Sequence, residues 1–200
     1  MKPLVRVTSP ILPLMEDRID TDIIFPARFL LLMQREGLRD CLFRDRRFTA
    51  TGESIPGSVF DDTRRTGAQI LLAGEDFGTG SSREQAVWAL ADYGIQCVIA
   101  VSFGEIFAAN AVRNGMLALP LPRADIERIA AVESATVDIE AQEIICSGFT
   151  IPVRIPSATR QRLLSGLDEI DTILSNDREG IKAFEADQRR LQPWLYEDVT

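Results

Sequence analysis

The chain carries 200 residues, of which 46% are hydrophobic, with 22 basic and 30 acidic side chains and a net charge of −8. An acidic balance without any basic run argues against nucleic acid and anionic membranes as partners. The hydrophobic share is too large for a disordered chain, and the length suits one domain over residues 1–200 with a sizeable core.

Residues 4–14 have the mixed apolar character of an early strand. Lys2 and Arg6 lie at this end, but Pro3, Pro10 and Pro13 interrupt the apolar residues, so it does not read as a secretory signal. Residues 17–22 form a polar loop rich in turn formers. Pro26 marks the first turn of a helix expected over residues 25–32. The apolar run from Phe29 to Met33 is far too short to span a bilayer. Residues 35–67 mix many charges with Gly37, Gly52, Pro56 and Gly57, which reads as short helices within a long loop. Long structured loops often carry function. The arginines of this stretch, Arg44, Arg46 and Arg47, read as solvated surface.

From residue 68 the pattern alternates: strands over 69–73, 97–101 and 117–119, helices over 83–93 and 104–114. Gly94 and Gly115 sit where C-terminal caps are expected. The alternation predicts a βαβ core with parallel strands, in which ligands gather at the carboxyl ends of the strands. A helix over 124–132 follows, then short antiparallel strands over 136–140, 143–146 and 149–153. The remainder reads as helices over 158–174 and 177–190, with Asn176 or Asp177 as an N-cap.

Cys41, Cys97 and Cys146 are widely spaced, odd in number and free of any Cys-x-x-Cys pair, which argues against a disulfide framework and suits the reducing cytoplasm. Cys97 lies in an apolar stretch and reads as core packing. The chain contains no histidine, which excludes a Cys/His zinc site and a catalytic histidine within it.

The segment richest in chemistry is Gly78-Thr79-Gly80-Ser81-Ser82-Arg83-Glu84. It joins a predicted strand to a predicted helix. Glycines let backbone N–H groups approach a ligand, and the start of a helix offers unpaired N–H groups with positive partial charge. Two hydroxyls and an arginine beside them suit an anion, above all a carboxylate. Ser81-x-x-Glu84 also has the spacing of a capping box, which would consume the serine structurally. A dinucleotide fingerprint lacks its third glycine here, and a P-loop lacks its lysine.

At these residues the chain resembles the small-subunit family of the 3-isopropylmalate dehydratases, the swivelling domain of the aconitase superfamily. The resemblance extends to Ile19-Asp20-Thr21-Asp22-Ile23-Ile24-Phe25-Pro26, to Leu42-Phe43-Arg44-Asp45, to Ile106-Phe107-Ala108-Ala109-Asn110 and to Gly166-Leu167-Asp168-Glu169-Ile170. It implies an α/β fold, a swivelling β/β/α domain of the aconitase C-terminal type with a parallel βαβ core. The implied reaction interconverts 2-isopropylmalate and 3-isopropylmalate by dehydration and rehydration, as a step of leucine biosynthesis. A [4Fe-4S] cluster would belong to a separate large subunit, and this chain alone would bind no metal. Ser81 matches the superfamily's catalytic base, and Ser82 and Arg83 match positions that hold substrate carboxylate. Thr79 and Gly80 flank the substrate, while Asp20 and Asp22 are candidates for supporting the loop from outside. Without the resemblance, Arg83 would read as an exposed residue paired with Glu84 or Glu75. The arginine cluster at 44–47 could instead face the diacid substrate or the large subunit. The family pattern is Gly-Cys-Gly-Ser-Ser-Arg-Glu-His-Ala; here Thr79 stands for the cysteine and Gln85 for the histidine. These departures keep two alternatives open: a related hydro-lyase subunit acting on a methylmalate/citraconate or homoaconitate type diacid, or a non-catalytic assembly module.

Overall fold

Strand β1 (Arg6–Pro13) lies at the middle of the architecture in the computed structural model, which describes residues 1–60 and 62–196. On one side it pairs in parallel with β2 (Ile70–Leu72), followed by β3 (Cys97–Ala100) and β4 (Leu117–Pro120). On the other side it pairs antiparallel with β5 (Ser134–Asp138), then β6 (Glu143–Cys146) and β7 (Phe149–Pro152). The sheet order is β4-β3-β2-β1-β5-β6-β7. The predicted βαβ core and the antiparallel strands are therefore both present.

Alternation along each strand sends side chains to two separate cores. Leu12, Leu71, Ala73, Val98 and Ala100 face a core closed by α3 (Glu84–Tyr93) and α4 (Glu105–Arg113). Ile11, Ile70, Leu72, Cys97, Ile99, Leu117 and Leu119 face the opposite core, closed by Ile126 and Ile129 of α5 (Arg123–Ala130) and Leu163 of α6 (Ser157–Ser165). Parallel strands covered on both faces must be apolar throughout, which is why β2 and β3 are unbroken apolar runs. All three cysteines are free and buried. Burial alone pushes the Cys97 thiol far above its ordinary value.

The chain divides into two units, Met1–Gly166 and Leu167–Thr200. The helix expected over 158–174 is two helices. α6 ends at Gly166, which takes a left-handed φ of 66°, and Asp168 opens α7 (Glu169–Asn176) with a reciprocal capping box to Asp171. In the second unit α8 (Arg178–Leu191) follows, with Asp177 at its N-cap but no side-chain bond there. Among the described residues no helix is long and apolar enough to cross a membrane.

Two further expectations change. Residues 25–32 form no α-helix; a single 3₁₀ turn, Ala27–Phe29, stands there. The Asp22 carboxylate takes the Ala27 N–H and Arg83 donates to the Phe25 carbonyl, so the first helical bonds are diverted. Residues 35–67 hold the short helical elements expected of them, α2 (Arg44–Arg47) and the 3₁₀ turn Thr63–Arg65 among the described residues, but one arginine there differs from expectation. Arg47 is not solvated surface: it is buried, donates to the Arg39 and Leu42 carbonyls, and lies over the Phe48, Phe60 and Tyr93 rings. Arg46 pairs with Glu16, and Arg44 lies over Phe48 beside a cavity of about 510 Å³.

Candidate active site

The glycine-rich loop leaves the carboxyl end of β2, where parallel strands present their ligand-binding edge. Its floor is aromatic. Phe77 is fully buried, bridges to Phe103 beyond β3, and meets Phe107 edge-on at 5.2 Å between centroids. Gly78 takes φ 73°, and a Cβ there would lie 2.3 Å from the Phe107 ring. Only glycine permits both the turn and the approach.

The opposite wall is the segment after β1. The Gly78 N–H donates to the Ile19 carbonyl at 2.7 Å, and the Thr21 N–H donates to the Thr79 carbonyl at 2.9 Å. The Thr21 hydroxyl donates to the Ser81 carbonyl at 2.8 Å. Gly80, with φ 92°, turns the chain between those two carbonyls, beside Asp20 and Thr21. Asp20 itself caps the short helix α1 (Thr21–Ile24), accepting from the Asp22 and Ile23 N–H groups. Segments some sixty residues apart are thus laced together at the strand ends.

The helix start settles the competing role for Ser81. α3 begins at Glu84 with Arg83 at the N-cap and no side-chain cap bond. The capping box is not formed, and Glu84 instead accepts from the Asn114 amide. The Ser81 hydroxyl carries no hydrogen bond among the described residues, and Ser81 and Ser82 are both exposed. Thr79 turns its hydroxyl back onto the Asp76 carbonyl at 3.0 Å, closing the loop on itself.

Arg83 pairs with neither Glu84 nor Glu75. Its Nη1 donates to Asp22 and, at 3.1 Å, to the Phe25 carbonyl, and its side chain is only 12% exposed. Nη2 carries no hydrogen bond among the described residues, and Nε is buried without a partner. The Arg83 guanidinium, then the Ala27 N–H, hold the Asp22 carboxyl below the usual carboxylate range. Asp22 therefore stays charged and fixes one end of the guanidinium. Of the two aspartates singled out in the sequence, Asp22 touches Arg83 and Asp20 organises the helix that carries Asp22.

The structure thus gathers Thr79, Gly80, Ser81, Ser82, Arg83, Asp20 and Asp22 at one edge. Thr21 is the participant that sequence reasoning passed over; its only signal was its position between two aspartates. The arrangement offers an unencumbered hydroxyl two residues along the chain from a fixed cation and three before the start of a helix, a combination suited to an anionic substrate. Among the described residues no group of three or more His, Cys, Asp or Glu is placed to hold a metal ion. Cys41 faces one core while Cys97 and Cys146 face the other, so the thiols do not converge and do not fit a cluster.

Residues 1–124 match the family model of the aconitase C-terminal domain. The 3-isopropylmalate dehydratase small subunit of Rhodospirillum centenum is 43% identical, over 97% of this chain and 98% of its own. Its namesake in Cereibacter sphaeroides is 40% identical, over 98% of this chain and 100% of its own. The crystal structure of 3-isopropylmalate dehydratase (leuD) from Methanocaldococcus jannaschii covers 90% of this chain and 99% of that one with a TM-score of 0.66. At 23% identity, that last likeness speaks to the fold.

Proposed function

Because the chain belongs to the aconitase C-terminal domain family, among the 3-isopropylmalate dehydratase small subunits, we propose a division of labour for its residues in that reaction. The protein is the small subunit of a hydro-lyase that interconverts 2-isopropylmalate and 3-isopropylmalate in leucine biosynthesis. Full-length relatives of that name favour this reading over a methylmalate/citraconate or homoaconitate enzyme and over a non-catalytic module. The observation that carries the residue assignment is the unspent Ser81 hydroxyl standing two residues from the anchored Arg83 guanidinium.

The reaction removes a proton from carbon and hydroxide from the neighbouring carbon, then returns water in the other sense. Ser81 takes and returns the carbon-bound proton. A serine is a weak base, so its alkoxide needs the positive helix end and the arginine beside it. Arg83 and Ser82 hold a substrate carboxylate, Arg83 through its Nη2, the group that Asp22 and Phe25 leave free. Thr79 and Gly80 line the backbone path beside the substrate. Asp22 keeps Arg83 aimed, with Asp20 holding Asp22's helix.

The [4Fe-4S] cluster belongs to the partner large subunit in this reading, and when bound there it supplies the Lewis acid for the departing hydroxyl. The three buried, unconverged thiols of this chain support that assignment. We place the enzyme in the cytoplasm, whose reducing conditions suit free thiols. The test is reconstitution. The purified chain should carry no stoichiometric iron or sulfide and no hydratase activity, and adding the cluster-loaded large subunit should give turnover of 3-isopropylmalate. Iron in this chain, or turnover without a partner, overturns the two-subunit assignment.

A further inference from the structure

We infer that Thr21 is the positioning residue for Ser81, an inference that rests on Ser81 being the base. Thr21 is buried, at 3% exposure, at the start of a helix of only four residues. A buried hydroxyl in that place needs a partner, and it uses the carbonyl of Ser81 itself, at 2.8 Å. The Thr21 backbone N–H takes the Thr79 carbonyl at 2.9 Å. One residue therefore grips the loop on both sides of Gly80. Gly80 is the residue with the least resistance to rotation, and it stands at φ 92°.

The two grips differ in what they can set. The backbone bond fixes the loop's path up to residue 79 and survives any substitution at 21 other than proline. The hydroxyl bond fixes the peptide that follows Ser81, and with it the rotation of Ser81 about its own backbone. That rotation sets the direction of the Ser81 Cα–Cβ bond, and with it the arc the Ser81 oxygen can reach. Among the described residues no hydrogen bond holds the Ser81 side chain itself, and the residue is exposed. Asp22, the next residue, acts on a different group through a different bond, the one to Arg83. Neighbouring residues of one short helix thus aim the base and the carboxylate clamp separately.

The experiment uses the assembled two-subunit enzyme with 3-isopropylmalate. Thr21→Val is nearly isosteric and deletes only the hydroxyl, while Thr21→Ser keeps it. Thr21→Val should lower kcat about 10- to 100-fold, the size expected for a misplaced reacting group, with KM little changed. Thr21→Ser should restore most of kcat. Asp22→Asn should show the opposite split, with KM rising more than kcat falls. In a Ser81→Ala background, Thr21→Val should cost nothing more, since residues acting through one another are not additive. Should Thr21→Val fail to assemble, Thr21→Ala deletes the same hydroxyl and carries the same comparison. Wild-type kcat in Thr21→Val beside an inactive Ser81→Ala overturns the inference and leaves the Ser81 assignment standing. An equal loss from Thr21→Val in the Ser81→Ala background also overturns it. Full turnover in Ser81→Ala removes the assignment of Ser81, and this inference with it.

Discussion

The parallel strands β1 to β4 and the antiparallel strands β5 to β7 share one sheet but close their connections differently. β5, β6 and β7 are joined by short local turns, and Asp138 ties the first of these by accepting the Ala141 N–H at 2.8 Å. The parallel strands cannot be joined locally, so their carboxyl ends release long segments that must find one another. Residues 19–22 and 78–83 do so through the bonds of Gly78, Thr21 and Arg83. Local closure yields a stable, self-contained edge with no candidate site residue. Non-local closure yields a rim on which polar groups from distant parts of the chain meet. Chemistry and stability should therefore separate along the sheet.

The strongest test of that separation is Ser81→Ala. The Ser81 hydroxyl supports nothing structural, so the melting temperature should barely move, as for other surface substitutions within about 0.5 kcal/mol. Turnover in the assembled enzyme should fall by on the order of 10²-fold or more. Steady-state kinetics alongside thermal melts decide it, and near-normal kcat would take the chemistry off this rim.

Next in size is Arg83→Lys. Lysine keeps the charge but loses the planar fork, so it should fail almost as badly as Arg83→Ala. Losing charge-assisted bonds of about 1.5–3 kcal/mol corresponds to a drop of roughly 10- to 100-fold in kcat/KM. A Lys variant that retains most of kcat/KM would reduce Arg83 to a plain ion pair with Asp22.

The smallest effect belongs to the antiparallel edge. Asp138, whose side chain is 6% exposed, accepts from Ala141 and from Arg6. The Ala141 N–H, then Arg6, hold its carboxyl below the usual range. A lowered folded value means the stabilisation is complete above the unfolded pKa of about 3.9 and is lost as pH falls through the folded value. Asp138→Ala should cost about 1–3 kcal/mol at neutral pH, with kcat untouched. The gap between variant and wild type in acid melts should close below that range. A fall in kcat without a fall in stability would blur the two regions.

Much of this organisation is legible in the residues alone. Apolar runs mark β2 and β3, Gly94 marks the end of α3, and the loop from Gly78 to Arg83 stands between them. What escapes is whatever depends on partners far along the chain. The Asp22–Arg83 pair and the Thr21–Ser81 bond span about sixty residues, and no local pattern encodes them. The same diverted bonds explain why residues 25–32, helical by composition, form only a 3₁₀ turn. Arg47 reads as solvated because its neighbours are charged, yet distant Phe60 and Tyr93 cover it. The break at Gly166 is visible only once Asp168 is seen to start a helix of its own.

The contact between Gly78 and the Phe107 ring has a consequence for descent. Any side chain at 78 would collide with that ring and sit at a strained φ as well. That position is closed to change, and so is the path of the loop. Thr79 is half-buried and uses its hydroxyl on the loop's own Asp76 carbonyl, so its replacement need not move the backbone. A lineage diverging from this protein therefore inherits the track of the loop unaltered and can vary only the side chains hung along it.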